Sequence, residues 1–133
     1  MRKCEFETER GTLRYWVSEN DKATAQLVFL PGLTADHRLF DKQVEYFASR
    51  ARCLVWDPPS HGESRPFSLD WSLNDLALML EQILSREGFE RPILIGQSMG
   101  GYISQAFMRL LPDRACGFVS IDSCPLDRSY YTA

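Results

Sequence analysis

Pro92-Ile93-Leu94-Ile95-Gly96-Gln97-Ser98-Met99-Gly100-Gly101 is the stretch on which the fold of this chain turns. Its first part is a short apolar run of the kind that fills a strand buried on both faces. Its second part sets a serine among glycines. From Met99 onward Ile103, Ala106, Phe107 and Leu110 recur at helical spacing until Pro112 stops the pattern. Strand, turn and helix therefore meet at one residue. A serine at such a bend takes strained backbone angles, and the flanking glycines let strand and helix pass close to each other. Its hydroxyl is lifted clear of the sheet, at a helix N-terminus whose unpaired N–H groups suit a developing negative charge.

Working outward, Gln26-Leu27-Val28-Phe29-Leu30 and Cys53-Leu54-Val55-Trp56 read as two further buried strands, and Phe118-Val119-Ser120-Ile121 as a last one. Leu39, Phe40, Val44 and Phe47 predict a helix from Leu39 to about Ala48. Leu73, Leu76, Leu80, Ile83 and Leu84 form one apolar stripe, with Asp70 or Ser72 as N-cap and Gly88 past the end. Glu5-Phe6-Glu7-Thr8 and Leu13-Arg14-Tyr15-Trp16-Val17, around Arg10-Gly11, read as a hairpin. This order predicts an α/β fold: a mostly parallel sheet with helices on both faces, an initial antiparallel hairpin, and ligands at the carboxyl ends of the strands.

With 133 residues, 44% hydrophobic and 25% charged, the chain has the length and composition of one packed domain, spanning residues 1–133. A net charge of −3 with no basic face argues against nucleic acid as a partner. No apolar run approaches membrane-spanning length, and Met1-Arg2-Lys3-Cys4-Glu5 leads into no signal-peptide core, so the expectation is a cytoplasmic chain without membrane contact. Cys4, Cys53, Cys116 and Cys124 form no metal-ligand pattern and read as free, mostly buried thiols. No glycine-rich phosphate loop is present; neither cofactor nor metal is expected.

Three segments together, Leu30-Pro31-Gly32-Leu33, Asp57-Pro58-Pro59-Ser60-His61-Gly62-Glu63-Ser64 and Gly96-Gln97-Ser98-Met99-Gly100-Gly101, resemble the alpha/beta-hydrolase family of the serine-nucleophile type over nearly the whole chain. In that family the first segment is commonly His-Gly-x, and here a proline replaces the histidine. The resemblance implies that Ser98 is a nucleophile, that the backbone N–H groups of Leu33 and Met99 form an oxyanion hole, and that the substrate is a small acyl compound such as an ester, thioester or lactone. The family's acid and histidine follow the serine in chain order, yet no histidine follows Ser98. The expectation is thus the N-terminal portion of such an enzyme, truncated after its sixth strand, with the histidine brought by a missing C-terminal part.

Asp122, just after the last strand, is a candidate acid by the resemblance, since some lipase-like members carry it there although most members do not, and is otherwise a loop or cap residue; Asp127 is the weaker candidate for the same role. His61 and Asp57 read as loop braces, and His37 as a solvated or loop-packing residue, with a place at the border of the substrate entrance as the alternative. The alternative for Ser98 itself is an unreactive small residue in a tight turn. The uncharged last strand would be an edge if nothing follows it, and is expected to recruit a second copy or a complementing C-terminal chain. A non-catalytic hydrolase-like module that associates through this edge is the competing function.

Overall fold

The computed structural model describes residues 1–127. Strands β1 (Arg2–Thr8) and β2 (Gly11–Val17) form the antiparallel hairpin, followed by β3 (Gln26–Leu30), β4 (Arg52–Trp56), β5 (Ile93–Gln97) and β6 (Gly117–Ile121). Helices α1 (Asp41–Phe47), α2 (Leu73–Arg86) and α3 (Met99–Leu110) fill the connections. All six strands join one sheet in the order β1-β2-β4-β3-β5-β6. The β1-β2 and β2-β4 pairs are antiparallel; β4-β3, β3-β5 and β5-β6 are parallel.

The period of two along each strand divides the apolar runs between two cores. Val28, Leu30, Leu54 and Trp56 point into a large core with Leu76, Leu80, Ile83 and Leu84 of α2 and Ile103, Ala106 and Phe107 of α3. Leu27, Phe29, Cys53 and Val55 point the other way, toward Phe40, Val44 and Phe47. Helices therefore cover both faces, as the alternation predicts. Ser72 is the cap of α2: its hydroxyl accepts from the Asp75 N–H at 3.1 Å, and the Asp75 carboxylate accepts from the Ser72 N–H at 2.8 Å.

The hairpin is fastened to the C-terminal end of α2 through a partly buried polar contact. The hydroxyl of fully buried Tyr15 donates to Glu87 at 2.6 Å, and the Arg2 guanidinium donates to the other carboxylate oxygen at 2.8 Å. Burial works to raise the Glu87 pKa, but these two donors outweigh it and hold the carboxyl below its ordinary range. A bond from a buried hydroxyl to a charged acceptor contributes about 1.5–3 kcal/mol.

Two expectations are corrected. The helix expected from Leu39 opens instead as a 3-10 turn, His37–Phe40, and becomes α-helical only at Asp41. The Asp36 carboxylate accepts from the Arg38 N–H while Asp57 accepts from the His37 N–H, and these two ties wind the first turn tightly. The cysteines are all free, but only Cys4 and Cys53 are buried; Cys116 and Cys124 are exposed. Both flank β6, which is an edge strand of the described sheet with Val119 and Ile121 exposed. Among the described residues no helix is long and apolar enough to cross a membrane. The polar stretch from Arg128 onward lies outside the described residues.

Candidate active site

The carboxyl end of β5 and the start of α3 meet at Ser98, whose backbone sits at φ 52° and ψ −116°. A non-glycine residue held there costs about 1–3 kcal/mol, so its surroundings must enforce it. They do so by close approach. A Cβ at Gly96 would lie 2.5 Å from the Gly101 nitrogen, and one at Gly100 would overlap the Leu30 carbonyl. The first turn of α3 thus presses directly on β5 and β3. The Ser98 N–H donates to the Ile121 carbonyl at 2.9 Å, and the Ser98 carbonyl accepts from the Gly101 N–H at 2.9 Å and the Ser123 hydroxyl at 3.0 Å. The side chain is half-buried, and its hydroxyl has no hydrogen-bond partner among the described residues.

The loop after β3 runs against this serine. A Cβ at Gly32 would lie 2.9 Å from the Ser98 Cβ. The Gly32 N–H donates to the Gln97 side-chain oxygen at 3.1 Å, so Gln97 clamps that loop to the bend. Leu33 follows, exposed. Neither the Leu33 N–H nor the Met99 N–H meets an acceptor among the described residues. One belongs to the loop beside the free hydroxyl and the other directly follows it. Free backbone N–H groups are the kind of donor that can receive a negatively charged oxygen.

The two histidines are placed elsewhere. His37 stacks on Trp16 at 3.7 Å between ring centroids, and its Nδ1 lies 2.8 Å from Asp57. Asp57 is fully buried and also accepts from the backbone N–H groups of His37 and Glu63, both at 2.7 Å. It braces two loops, as the sequence reading holds. The pair has the form of an acid orienting an imidazole, but β4, which Asp57 follows, is two strands from β5, and Trp16 of β2 is three. At about 4.8 Å per strand the His37 ring lies on the order of 10 Å or more from Ser98, outside hydrogen-bond reach. His61 Nδ1 lies 2.9 Å from the Pro59 carbonyl, and the ring helps line a cavity of about 310 Å³ together with Thr34, Asp36 and Arg65.

Asp36, His37 and Asp57 bring three potential ligand atoms within 4.8 Å of one another. Three N–H groups already occupy the Asp57 oxygens, as above. The Arg38 guanidinium engages both oxygens of Asp36 and lowers its pKa to about 2. These donors would have to be expelled to seat an ion, so the group does not fit a metal. Asp122 is exposed directly after β6 at φ 51°, with no hydrogen bond or ion pair to its carboxylate among the described residues. Asp127 is exposed farther along, in a groove with Gln105, Arg109 and Leu126.

A family model described as the alpha/beta hydrolase fold matches residues 26–130. The chain belongs to the alpha/beta-hydrolase fold family. It is 29% identical over 116 residues to the sn-1-specific diacylglycerol lipase ABHD11 of Mus musculus, covering 86% of this chain and 38% of that protein. It is also 29% identical over 111 residues to a pimeloyl-acyl-carrier-protein methyl ester esterase of Pectobacterium carotovorum, covering 84% of this chain and 41% of the relative. Among solved structures, the N-acyl homoserine lactonase AidH, complexed with N-butanoyl homoserine, superposes with a TM-score of 0.85 at 23% identity, over 99% of this chain and 48% of that one. This alpha/beta-hydrolase chain thus spans about two fifths of the length of those curated relatives.

Proposed function

We propose that this alpha/beta-hydrolase chain carries the nucleophile and the oxyanion donors of a serine hydrolase that cleaves a carboxylic ester or a related acyl bond through an acyl-enzyme. The observation that carries the reading is the unpartnered Ser98 hydroxyl at a strained bend, with the free N–H groups of Leu33 and Met99 beside it. The Ser98 oxygen adds to the acyl carbon, the carbonyl oxygen takes the negative charge between the two N–H groups, and the Ser98 proton passes to an imidazole. Collapse expels the leaving alcohol with that proton, and water then hydrolyses the acyl-serine. Histidine from a further segment supplies the imidazole, since His37 is engaged by Asp57 and Trp16 and His61 by the Pro59 carbonyl. We assign the acid to Asp122, exposed directly after β6. The mechanism calls on no cofactor, and four free thiols fit a reducing, cytoplasmic setting.

An esterase and a lipase among the relatives favour acyl substrates. A serine hydroxyl without a base is a weak nucleophile at neutral pH. With a fluorophosphonate probe, the 133-residue chain alone is expected to show almost no adduct, and the chain supplied with a histidine-bearing C-terminal segment an adduct located at Ser98 by peptide mass spectrometry. Labelling at another residue, with none at Ser98, contradicts the proposal.

The exposed apolar residues of β6 favour a second reading, a module that associates through this edge. A second copy or the histidine-bearing chain is the partner it fits. A monomer that stays monodisperse at high concentration in solution scattering, with no binding to that segment, contradicts it.

A further inference from the structure

We infer that Ser123 is a positioning residue that aims the Met99 N–H, an inference that rests on the reading of Ser98 as the nucleophile. A trans peptide is a rigid plane whose carbonyl and N–H point in opposite directions. Whatever holds the Ser98 carbonyl oxygen therefore also aims the N–H of Met99. Two donors hold that oxygen, the Gly101 N–H at 2.9 Å and the Ser123 hydroxyl at 3.0 Å. The first belongs to the opening turn of α3 and moves with the helix. The second comes from the segment after β6 and refers the plane to the sheet.

The same segment grips the other side of the nucleophile, because the Ile121 carbonyl accepts from the Ser98 N–H at 2.9 Å. Both peptide planes that would rotate to relax the strained Ser98 backbone are thus held by residues 121 to 123. Asp122, at φ 51°, turns the chain between them. Gly101 admits the Ser123 side chain: a Cβ at position 101 would lie 2.6 Å from the Ser123 Cβ. The segment is in turn fastened to α3. The Gln105 amide donates to the Cys124 carbonyl at 2.9 Å and accepts from the Leu126 N–H at 2.8 Å, and the Tyr102 hydroxyl lies 2.9 Å from the Cys124 sulfur. The plane of the second donor is held comparably, the Gly32 carbonyl accepting from the Ala35 N–H at 3.2 Å. A donor lowers the barrier only when it is aimed where the oxyanion forms, so the brace acts through Met99 and not on substrate.

The test compares Ser123→Ala and Gly101→Ala with Ser18→Ala, which removes a buried hydroxyl that accepts from the Cys53 N–H, far from the bend. Two quantities are read: the rate of Ser98 phosphonylation in the chain supplied with the histidine-bearing segment, and the ¹⁵N order parameter of the Met99 amide in the full chain alone. Ser123→Ala is expected to label roughly tenfold more slowly, the effect of one neutral hydrogen bond. Its Met99 order parameter is expected to fall below the about 0.85 of rigid backbone. Gly101→Ala does the same by displacing Ser123, whereas Ser18→Ala lowers the melting temperature and leaves both quantities unchanged. Labelling at the wild-type rate with an equally rigid Met99 amide in Ser123→Ala overturns the inference. If the wild-type chain is not labelled at Ser98, the nucleophile reading fails, and the order parameter alone then decides the brace.

Discussion

Ser98→Ala, in the chain completed by a histidine-bearing segment, is expected to lower ester turnover by roughly 10⁶-fold, the loss that removal of a serine nucleophile produces when the other members act as a unit with it. The residual rate, on the order of 10³–10⁴ over water, comes from the oxyanion donors and binding, which the substitution leaves in place. The same variant is expected to melt within about 0.5 kcal/mol of the parent, because the Ser98 hydroxyl holds nothing in the described structure. Parallel measurement of turnover and thermal unfolding separates the two effects. A variant that loses activity only in proportion to lost folding would reduce Ser98 to a small residue in a tight turn.

Gly100→Ala is expected to destabilise the chain by about 3 kcal/mol or more, the upper end of overpacking costs. The added methyl would fall on the carbonyl of fully buried Leu30, backbone that no rotamer change can move aside. Gly88→Ala provides the contrast. Gly88 sits at φ 71° but faces open space, with the nearest atom, an Arg52 nitrogen, 3.8 Å from an added Cβ. Its substitution carries the left-handed backbone cost alone, about 1–2 kcal/mol. Urea unfolding of both variants tests the ranking. Equal losses would mean that α3 does not press on β3 as closely as the bend requires.

Much of the architecture is legible along the chain because its cues are local. The runs Gln26 to Leu30 and Cys53 to Trp56 announce strands buried on both sides, the stripe from Leu73 to Leu84 announces α2, and Gly96 to Gly101 marks the bend between β5 and α3. What escapes is carried by contacts between residues far apart in the sequence. Gln97 clamps Gly32 across 65 positions, and Ser123 reaches back 25 positions to the Ser98 carbonyl. Neither contact leaves a periodic trace. Asp57 reads as a loop brace from its place in the segment, but its partner His37 belongs to another loop and is met only in three dimensions. The tight 3-10 opening ahead of α1 escapes for the same reason, since apolar spacing reports the buried face and not the side chains that wind the turn. One signal was available for Ser123: Gly101 is a glycine that the motif around Ser98 does not itself require, and a glycine there implies that some group approaches closely.

If the Ser98 oxygen is presented to the N–H groups of Leu33 and Met99, a crystal structure of the phosphonylated protein will show it. A phosphonate oxygen is expected 2.7–3.1 Å from both nitrogens, the range of an oxyanion donor. A phosphonate on Ser98 whose oxygens contact solvent or side chains, with both amides pointing elsewhere, would contradict it.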